Sequence, residues 1–264
     1  MRMNSLFDLT GQVALITGAT HGLGMAMAKG LGKAGATLVI NGNTPAKMEK
    51  ALESYRQDGL EVHGFLFDVT DEEQAKANIA QIEQQVGPIS ILVNNAGMIR
   101  RVPALEMEVE EFRKVLDVDL TGPFIMSKHV ARYMVERKQG KIINICSMMS
   151  ELGRDTVSAY AAAKGGLKML TRNLATEWAR HNIQVNGIGP GYFATEQTAP
   201  IRVEGHPFHD FIINRTPAGR WGDPSDLEGV TIFLSSKASD FVNGQIIYVD
   251  GGILATIGKP RNEQ

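Results

Sequence analysis

Between Gln12 and Gly252 the chain repeats one pattern: a short run rich in β-branched residues, then a longer stretch with apolar residues at helical spacing. The runs are 13–17, 37–41, 61–67, 89–94, 141–146, 183–188 and 245–249. Such alternation calls for crossover helices, and crossovers join strands that lie parallel. The runs are apolar without alternation, as strands are when helices cover both faces of their sheet. The expected fold class is therefore α/β, a doubly wound sheet of seven parallel strands with helices on both faces. No linker, low-complexity tract or repeat interrupts the pattern, so residues 1–264 are read as a single domain.

The intervening helices have legible ends. Leu23, Ala26, Met27, Gly30, Leu31 and Ala34 recur at helical spacing, and Gly35 closes that element. Thr70 and Glu73 have capping-box spacing, followed by Ala75, Ile79, Ile82 and Val86 as a buried stripe and Gly87-Pro88 as a stop. The segment 192–216 lacks a strand pattern, has a helical stretch at 208–213, and reads as a lid.

Composition supports a filled core, with 43% hydrophobic and 21% charged residues, and a net charge of −2 points away from nucleic acid or an anionic membrane as partners. A small molecule is expected instead. The N-terminus lacks the apolar stretch of a signal, and no segment has the length of a membrane span, so the expected location is the cytoplasm. The lone Cys146 has no internal disulfide partner and reads as a packed thiol. No compact ligand cluster suggests a metal; Asp226, Glu228, Asp240 and Asp250 are widely spread.

The first strand runs into Thr17-Gly18-Ala19-Thr20-His21-Gly22-Leu23-Gly24 and then a helix. Glycines at 18, 22 and 24 allow a tight turn and a close approach to a pyrophosphate, whose charge the free N–H groups of a helix start would stabilise. Glycines also simply turn chains, so the strand-turn-helix context carries the weight. The second strand ends Asn41-Gly42-Asn43-Thr44, without the acid that bonds adenosine ribose hydroxyls. That favours NADP over NAD, with His21 and Lys47 near a 2′-phosphate. Asp68, beside Val69, either bonds an adenine amino group or caps the next helix.

Tyr160 and Lys164, four residues apart, share one helix face among alanines and glycines. A nearby ammonium favours the tyrosinate, which would let Tyr160 serve as a base nearer neutral pH. Ser147, just past the fifth strand, can hold a substrate oxygen.

In order along the chain, Thr17-x4-Gly22-x-Gly24, Asn94-Asn95-Ala96-Gly97, Ser147 followed by Tyr160-x3-Lys164, Pro190-Gly191 and the closing 243–252 segment resemble the short-chain dehydrogenase/reductase family. The resemblance covers nearly the whole chain and implies a single-domain Rossmann fold. It implies Tyr160 as general acid/base, Lys164 as its tuner and ribose ligand, and Ser147 as the group orienting the substrate. Gly18, Thr20, His21, Gly22, Leu23, Gly24, Asn43, Asp68, Val69, Asn94, Asn95, Ala96 and Gly97 would line the cofactor. Ile188, Pro190, Gly191 and Thr195 would hold its nicotinamide end. Asp119 stands where the family usually has the Asn that completes the catalytic set. A homotetramer built on the long central helices and last strand is also implied.

Within that family, 142–154 and 94–101 look like the gluconate 5-dehydrogenase branch. A carboxylate substrate needs a cation, and Arg101 and Arg154 lie on loops beyond strand ends. Met149 and, more loosely, Glu151, Gln197 and His206 are further substrate candidates. The expected reaction is reversible oxidation of D-gluconate to 5-ketogluconate. Another sugar-acid or polyol dehydrogenase, or a 3-oxoacyl carrier-protein reductase, shares the same catalytic residues; a nucleotide-sensing protein without turnover is the alternative from another class.

Overall fold

Each apolar run becomes a strand in the computed structural model, which describes residues 3–258. The strands are β1 (Val13–Ile16), β2 (Thr37–Gly42), β3 (Val62–Leu66), β4 (Ile89–Asn94), β5 (Gly140–Ile145), β6 (Ile183–Pro190) and β7 (Ile246–Val249). They form one sheet in the order β3-β2-β1-β4-β5-β6-β7, and every neighbouring pair is parallel. The helices are α1 (Gly22–Lys33), α2 (Pro45–Gln57), α3 (Glu72–Gln85), α4 (Val109–Leu116), α5 (Gly122–Arg137), α6 (Ser158–Trp178), α7 (Pro207–Arg215) and α8 (Glu228–Ser235).

Successive residues of a strand point to opposite faces, so a doubly covered sheet needs apolar side chains at every position. β1 shows this directly. Ala14 and Ile16 pack with Met27 and Leu31 of α1 and Tyr55 of α2, whereas Val13 and Leu15 join Ile79 of α3 and Met126 and Val130 of α5. The expectation of uniform burial fails at the two edges. β3 leaves Gly64 and Leu66 exposed, and β7 is half-buried throughout. An edge strand has only one neighbour, and its outer flank meets water.

The interior is also less apolar than the runs suggest. Asn41, Asn94 and Asn144 are buried near the carboxyl ends of β2, β4 and β5, and Asn186 is buried in the middle of β6. Each amide nitrogen is partnered, as burial demands, although Asn94 Oδ1 has no hydrogen-bond partner. Asn94 donates through Nδ2 to Asn144 Oδ1 at 2.8 Å and to Ser127 Oγ at 2.9 Å, and Asn144 donates to Thr171 Oγ1 at 2.9 Å. Asn41 donates to Phe67 O, and Asn186 to Val242 O. This polar seam ties the sheet to α5 and α6 directly beneath the strand ends.

The N-cap of α3 is Asp71, not Thr70. Its carboxylate accepts the Gln74 N–H at 3.0 Å, and the Thr70 hydroxyl is already committed as donor to Asp68 Oδ1 at 2.7 Å. A charged acceptor one residue further on serves the helix start better than a hydroxyl in use elsewhere. The helical stretch expected at 208–213 is α7, one residue longer at its start and two at its end.

Replacing Asn144 by Leu removes the acceptor of Asn94 and the donor to Thr171 in a dry interior. The expected loss is about 2–3 kcal/mol of stability, read as a lower urea midpoint with an unchanged slope; an unchanged midpoint would mean the seam is not structural.

Candidate active site

After β1 the chain moves outward along the sheet to β2 and β3, and then returns to place β4 on the other side of β1. Helices leaving β1 and β4 therefore diverge, and a crevice opens at the carboxyl ends of those two strands, the usual ligand position of an open α/β sheet. Here it encloses about 670 Å³.

The glycine loop forms one wall. Gly18 and Gly22 have φ of +62° and +59°, a region that disfavours side chains. A Cβ on Gly18 would also lie 2.9 Å from the Ala96 Cα, so the loop packs backbone to backbone against the loop after β4. Thr17 and Asn95 fasten the two. The Thr17 hydroxyl accepts the Asn95 and Ala96 N–H groups at 3.0 Å each, and the Asn95 amide donates to the Thr17 and Gly18 carbonyls at 2.9 and 3.0 Å. From below, the buried Tyr55 hydroxyl donates to Ala19 O at 2.9 Å. The start of α1 has His21 at its N-cap with no side-chain cap, so its free N–H groups are left to an anion in the crevice. A dinucleotide pyrophosphate fits this cradle.

The opposite wall carries the reactive groups. Ser147 follows β5 and accepts the Met149 N–H at 3.1 Å. Tyr160 and Lys164 lie one turn apart on α6, with the Lys164 Nζ 5.5 Å from the Tyr160 ring centre. Lys164 donates to Ile145 O at 2.8 Å, and 3.4 Å away lies Oδ2 of Asp119, a carboxylate fully excluded from solvent. Asp119 reaches this point because α4 and α5 are joined by a π-helical turn, Asp117–Thr121. That wider turn shifts the helix faces relative to one another and brings Asp119 inward. Its other oxygen accepts the Met98 N–H at 2.7 Å.

Burial raises the Tyr160 hydroxyl above the usual phenol range; Lys164 pulls it down, Asp119 pushes it up again, and Ser147 pulls it down. The net depression expected from the ammonium alone is thus not present, because burial outweighs it and Asp119 adds to the rise. Burial would pull Lys164 down, but Asp119 and Tyr160 hold it above its ordinary value.

All the expected cofactor positions from Gly18 to Gly24, with Asn43, Asp68, Val69, Asn95, Ala96, Gly97, Pro190, Gly191 and Thr195, line this one cleft. So do Lys47, Arg101, Met149 and Arg154. Asn94 and Ile188 do not: Asn94 is buried in the polar seam, and Ile188 lies inside the sheet paired with Ile247. Asp68 also caps a turn, accepting from Thr70, while remaining on the cleft wall. Glu151 points away from the cleft, bonded to Lys168 at 2.5 Å and to the Tyr248 hydroxyl at 2.6 Å. His206 caps α7 through its ring nitrogen, accepting from Phe208. The Gln197 side chain lies outside the described residues.

Sequence reasoning missed Lys114 of α4 and Tyr192, Phe193 and Glu196, which also line the cleft. It also missed the contact that joins segment 192–216 to the substrate wall. Arg154 stacks on Phe208 of α7 at 4.4 Å, and Tyr192 meets Phe208 and Trp221 edge to face at 5.7 and 5.9 Å. The aromatics in that segment were the signal that could have found it. Among the described residues no group of three or more His, Cys, Asp or Glu is placed to hold a metal, and no helix is long and apolar enough to cross a membrane.

The family model described as short chain dehydrogenase matches residues 12–204. A 2-dehydro-3-deoxy-D-gluconate 5-dehydrogenase of Formosa agariphila is 68% identical over 260 residues, covering 98% of this chain and 98% of its own. A 5-keto-D-gluconate 5-reductase of Escherichia coli is 52% identical, covering 97% of this chain and 100% of its own. Among solved structures, a gluconate 5-dehydrogenase from Burkholderia cenocepacia in complex with NADP and tartrate superposes with a TM-score of 0.92 at 45% identity, covering 96% of this chain and 99% of that one.

Cys146 sits at the back of this wall, buried, with its thiol pushed up to about 11 by burial. A thiol that stays protonated is a poor nucleophile. At about pH 8 the native protein is expected to resist a thiol-reactive disulfide reagent, and to release one equivalent only on denaturation. Rapid reaction of the native thiol would contradict the packed reading.

Proposed function

Because this chain belongs to the short-chain dehydrogenases, we propose that its cleft carries out nicotinamide-dependent interconversion of a hydroxyl and a ketone at C5 of a six-carbon sugar acid. D-gluconate and 5-ketogluconate are one such pair. The observation that carries this reading is the convergence of Ser147, Tyr160 and Lys164 on one wall of a cleft that Arg101 and Arg154 also line. The relatives acting at position 5 of gluconate or of 2-dehydro-3-deoxy-D-gluconate support the same carbon.

When bound, the nicotinamide cofactor supplies or accepts the hydride. The protein residues handle the oxygen and its proton. In the reductive direction Ser147 donates a hydrogen bond to the ketone oxygen while Tyr160 gives its phenolic proton to that oxygen; in the oxidative direction tyrosinate takes the proton back. Lys164, charged at the base of the cleft, stabilises the tyrosinate and holds the cofactor ribose. Gly18, Gly22 and the α1 amides hold the pyrophosphate. NADP is the cofactor this site suits: the end of β2 presents Asn43 rather than a carboxylate, with His21 and Lys47 on the same wall. Binding in near-attack geometry is the remaining contribution of the fold.

The substrate's own carboxylate calls for Arg101 and Arg154. Segment 192–216 acts as a lid, its α7 resting on Arg154 through Phe208. The protein works as a homotetramer, to which the large apolar side chains exposed on α5 and α6, Phe124 and Met169, are suited. With its single cysteine unpaired, its place is the reducing cytoplasm.

The 68% relative gives 2-dehydro-3-deoxy-D-gluconate equal standing as a substrate, since it shares C5 and the carboxylate and differs only between them. Reduced-nicotinamide absorbance with both acids and both cofactors decides the pair. Tyr160→Phe is expected to lower kcat by about 10²–10⁴-fold with NADP binding retained; retained turnover would reassign the acid/base group. Phe208→Ala is expected to raise KM for the sugar acid about fivefold, the worth of a stacked cation, leaving KM for the cofactor unchanged. A shift in the cofactor KM alone would disconnect α7 from the substrate.

A further inference from the structure

Proton transfer to and from the substrate oxygen needs Ser147, Tyr160 and Lys164, but not the buried carboxylate beside them. Asp119 is the one fully buried acid among the described residues. Its surroundings present donors to both oxygens. Oδ1 faces a donor, the Met98 N–H at 2.7 Å, and Oδ2 faces a donor, the Lys164 ammonium at 3.4 Å. Beyond that ion pair Oδ2 has no hydrogen-bond partner, so a proton on it would find no acceptor. Burial raises the Asp119 carboxyl above its ordinary value, while the Lys164 ammonium and the Met98 N–H oppose that rise, and the two donors fit the carboxylate form. An amide in its place, keeping its carbonyl on Met98, would turn an NH₂ group toward the ammonium, donor against donor.

The groups that face this carboxylate come from each element packed on it. α6 contributes Lys164 and Tyr160, the loop after β4 contributes the backbone of Gly97 and Met98, and Cys146 and Ser147 at the end of β5 act on Lys164 and Tyr160 rather than on the carboxylate. Charged side chains on the flanking helices are engaged elsewhere: Arg113 with Glu110, Glu111 with Arg100, Lys128 and His129 with Glu72. Lys114 lines the cleft and Asp117 is exposed to solvent. In a dry site, Lys164 and Asp119 thus form a nearly neutral pair.

We infer that Asp119 is a positioning residue that sets the state in which Tyr160 waits: by cancelling the charge of Lys164 it keeps Tyr160 a phenol, so the site is poised to protonate a ketone near neutral pH and needs alkaline pH to accept a proton from an alcohol. The inference rests on the reading of Tyr160 as the acid/base group. In reduction the phenolic O–H bond breaks and an O–H bond forms on the product as the hydride forms the C–H bond and the cofactor is oxidised. Only that direction starts from phenol. The opposing pulls on Tyr160, upward from burial and Asp119 and downward from Lys164, have the required signs.

The first test uses the cofactor-free protein and needs no change at position 119. With five tyrosines in the chain, ¹³C labelling at Cζ gives five resonances, and the one lost in Tyr160→Phe reports Tyr160. It is expected to stay phenolic beyond the ordinary phenol midpoint of about 10; ionisation below that value would overturn the inference. Asp119→Asn is then expected to increase the Tyr160 ionisation constant by at least tenfold. The acidic limb of the oxidation profile should move to lower pH by the same factor, and the alkaline limb of the reduction profile should move with it. Superimposable titrations and profiles for wild type and Asp119→Asn would sink the idea while leaving Tyr160 as the acid/base group. Undiminished turnover in Tyr160→Phe would remove that premise instead.

Discussion

The site depends on the stitching of two loops at the point where the strand order reverses. The side chains of Thr17 and Asn95 take part in four hydrogen bonds that fasten the loop after β1, at Thr17 and Gly18, to the loop after β4, at Asn95 and Ala96, and so extend the β1–β4 ladder beyond the strand ends. From this junction a continuous set of contacts crosses the cleft floor. The fastened loop after β4 presents the Met98 N–H to Asp119, Asp119 meets Lys164, Lys164 holds the end of β5 through Ile145 O, and Ser147 lies two residues beyond. Cofactor cradle and proton-handling groups are therefore placed by one rigid framework rather than by separate loops. Rigidity of this kind is what positioning chemistry requires, since small displacements of reacting groups are costly.

Much of this framework is legible in the sequence, for a physical reason. Parallel strands buried on both faces must be apolar runs, and a dinucleotide turn must place glycines where φ is positive or backbones touch, so Gly18 and Gly22 announce themselves. Tyr160 and Lys164 are visible because helical spacing alone puts them on one face. Failures arise where long-range contacts decide. Asn94 carries a family signature, yet it serves the polar seam, because its partners Asn144 and Ser127 lie on other elements. Glu151 and His206 are reasonable sugar ligands by type, yet Lys168, Tyr248 and the start of α7 engage them instead. No local pattern marks the π-helical turn that carries Asp119 inward, so its place in the catalytic set is legible only through the family resemblance, and its direct ion pair with Lys164 only in the fold.

Electrostatics in the cleft divide along its length. At the closed end, a lysine and a carboxylate neutralise one another out of contact with water. Toward the mouth, Arg101, Lys114 and Arg154 line the cleft with Glu196 as the counterweight. An anionic substrate thus meets a cationic entrance and then a nearly neutral reaction chamber, an order that favours entry without trapping charge at the reacting carbon.

The bonds of Glu151 to Lys168 and Tyr248 anchor the substrate-side floor to α6 and to the outermost strand. On the proposed lid, Phe208 of α7 meets Arg154 of the cleft wall through the face of its ring. Such an arrangement separates what must be conserved from what is free to drift. Substitutions in 192–216 can reshape the volume above the reacting carbon while the proton machinery keeps its geometry. Inheritance of new sugar-acid preferences then requires changes in one surface segment, and recombination of that segment between relatives is a route by which a single scaffold can acquire them.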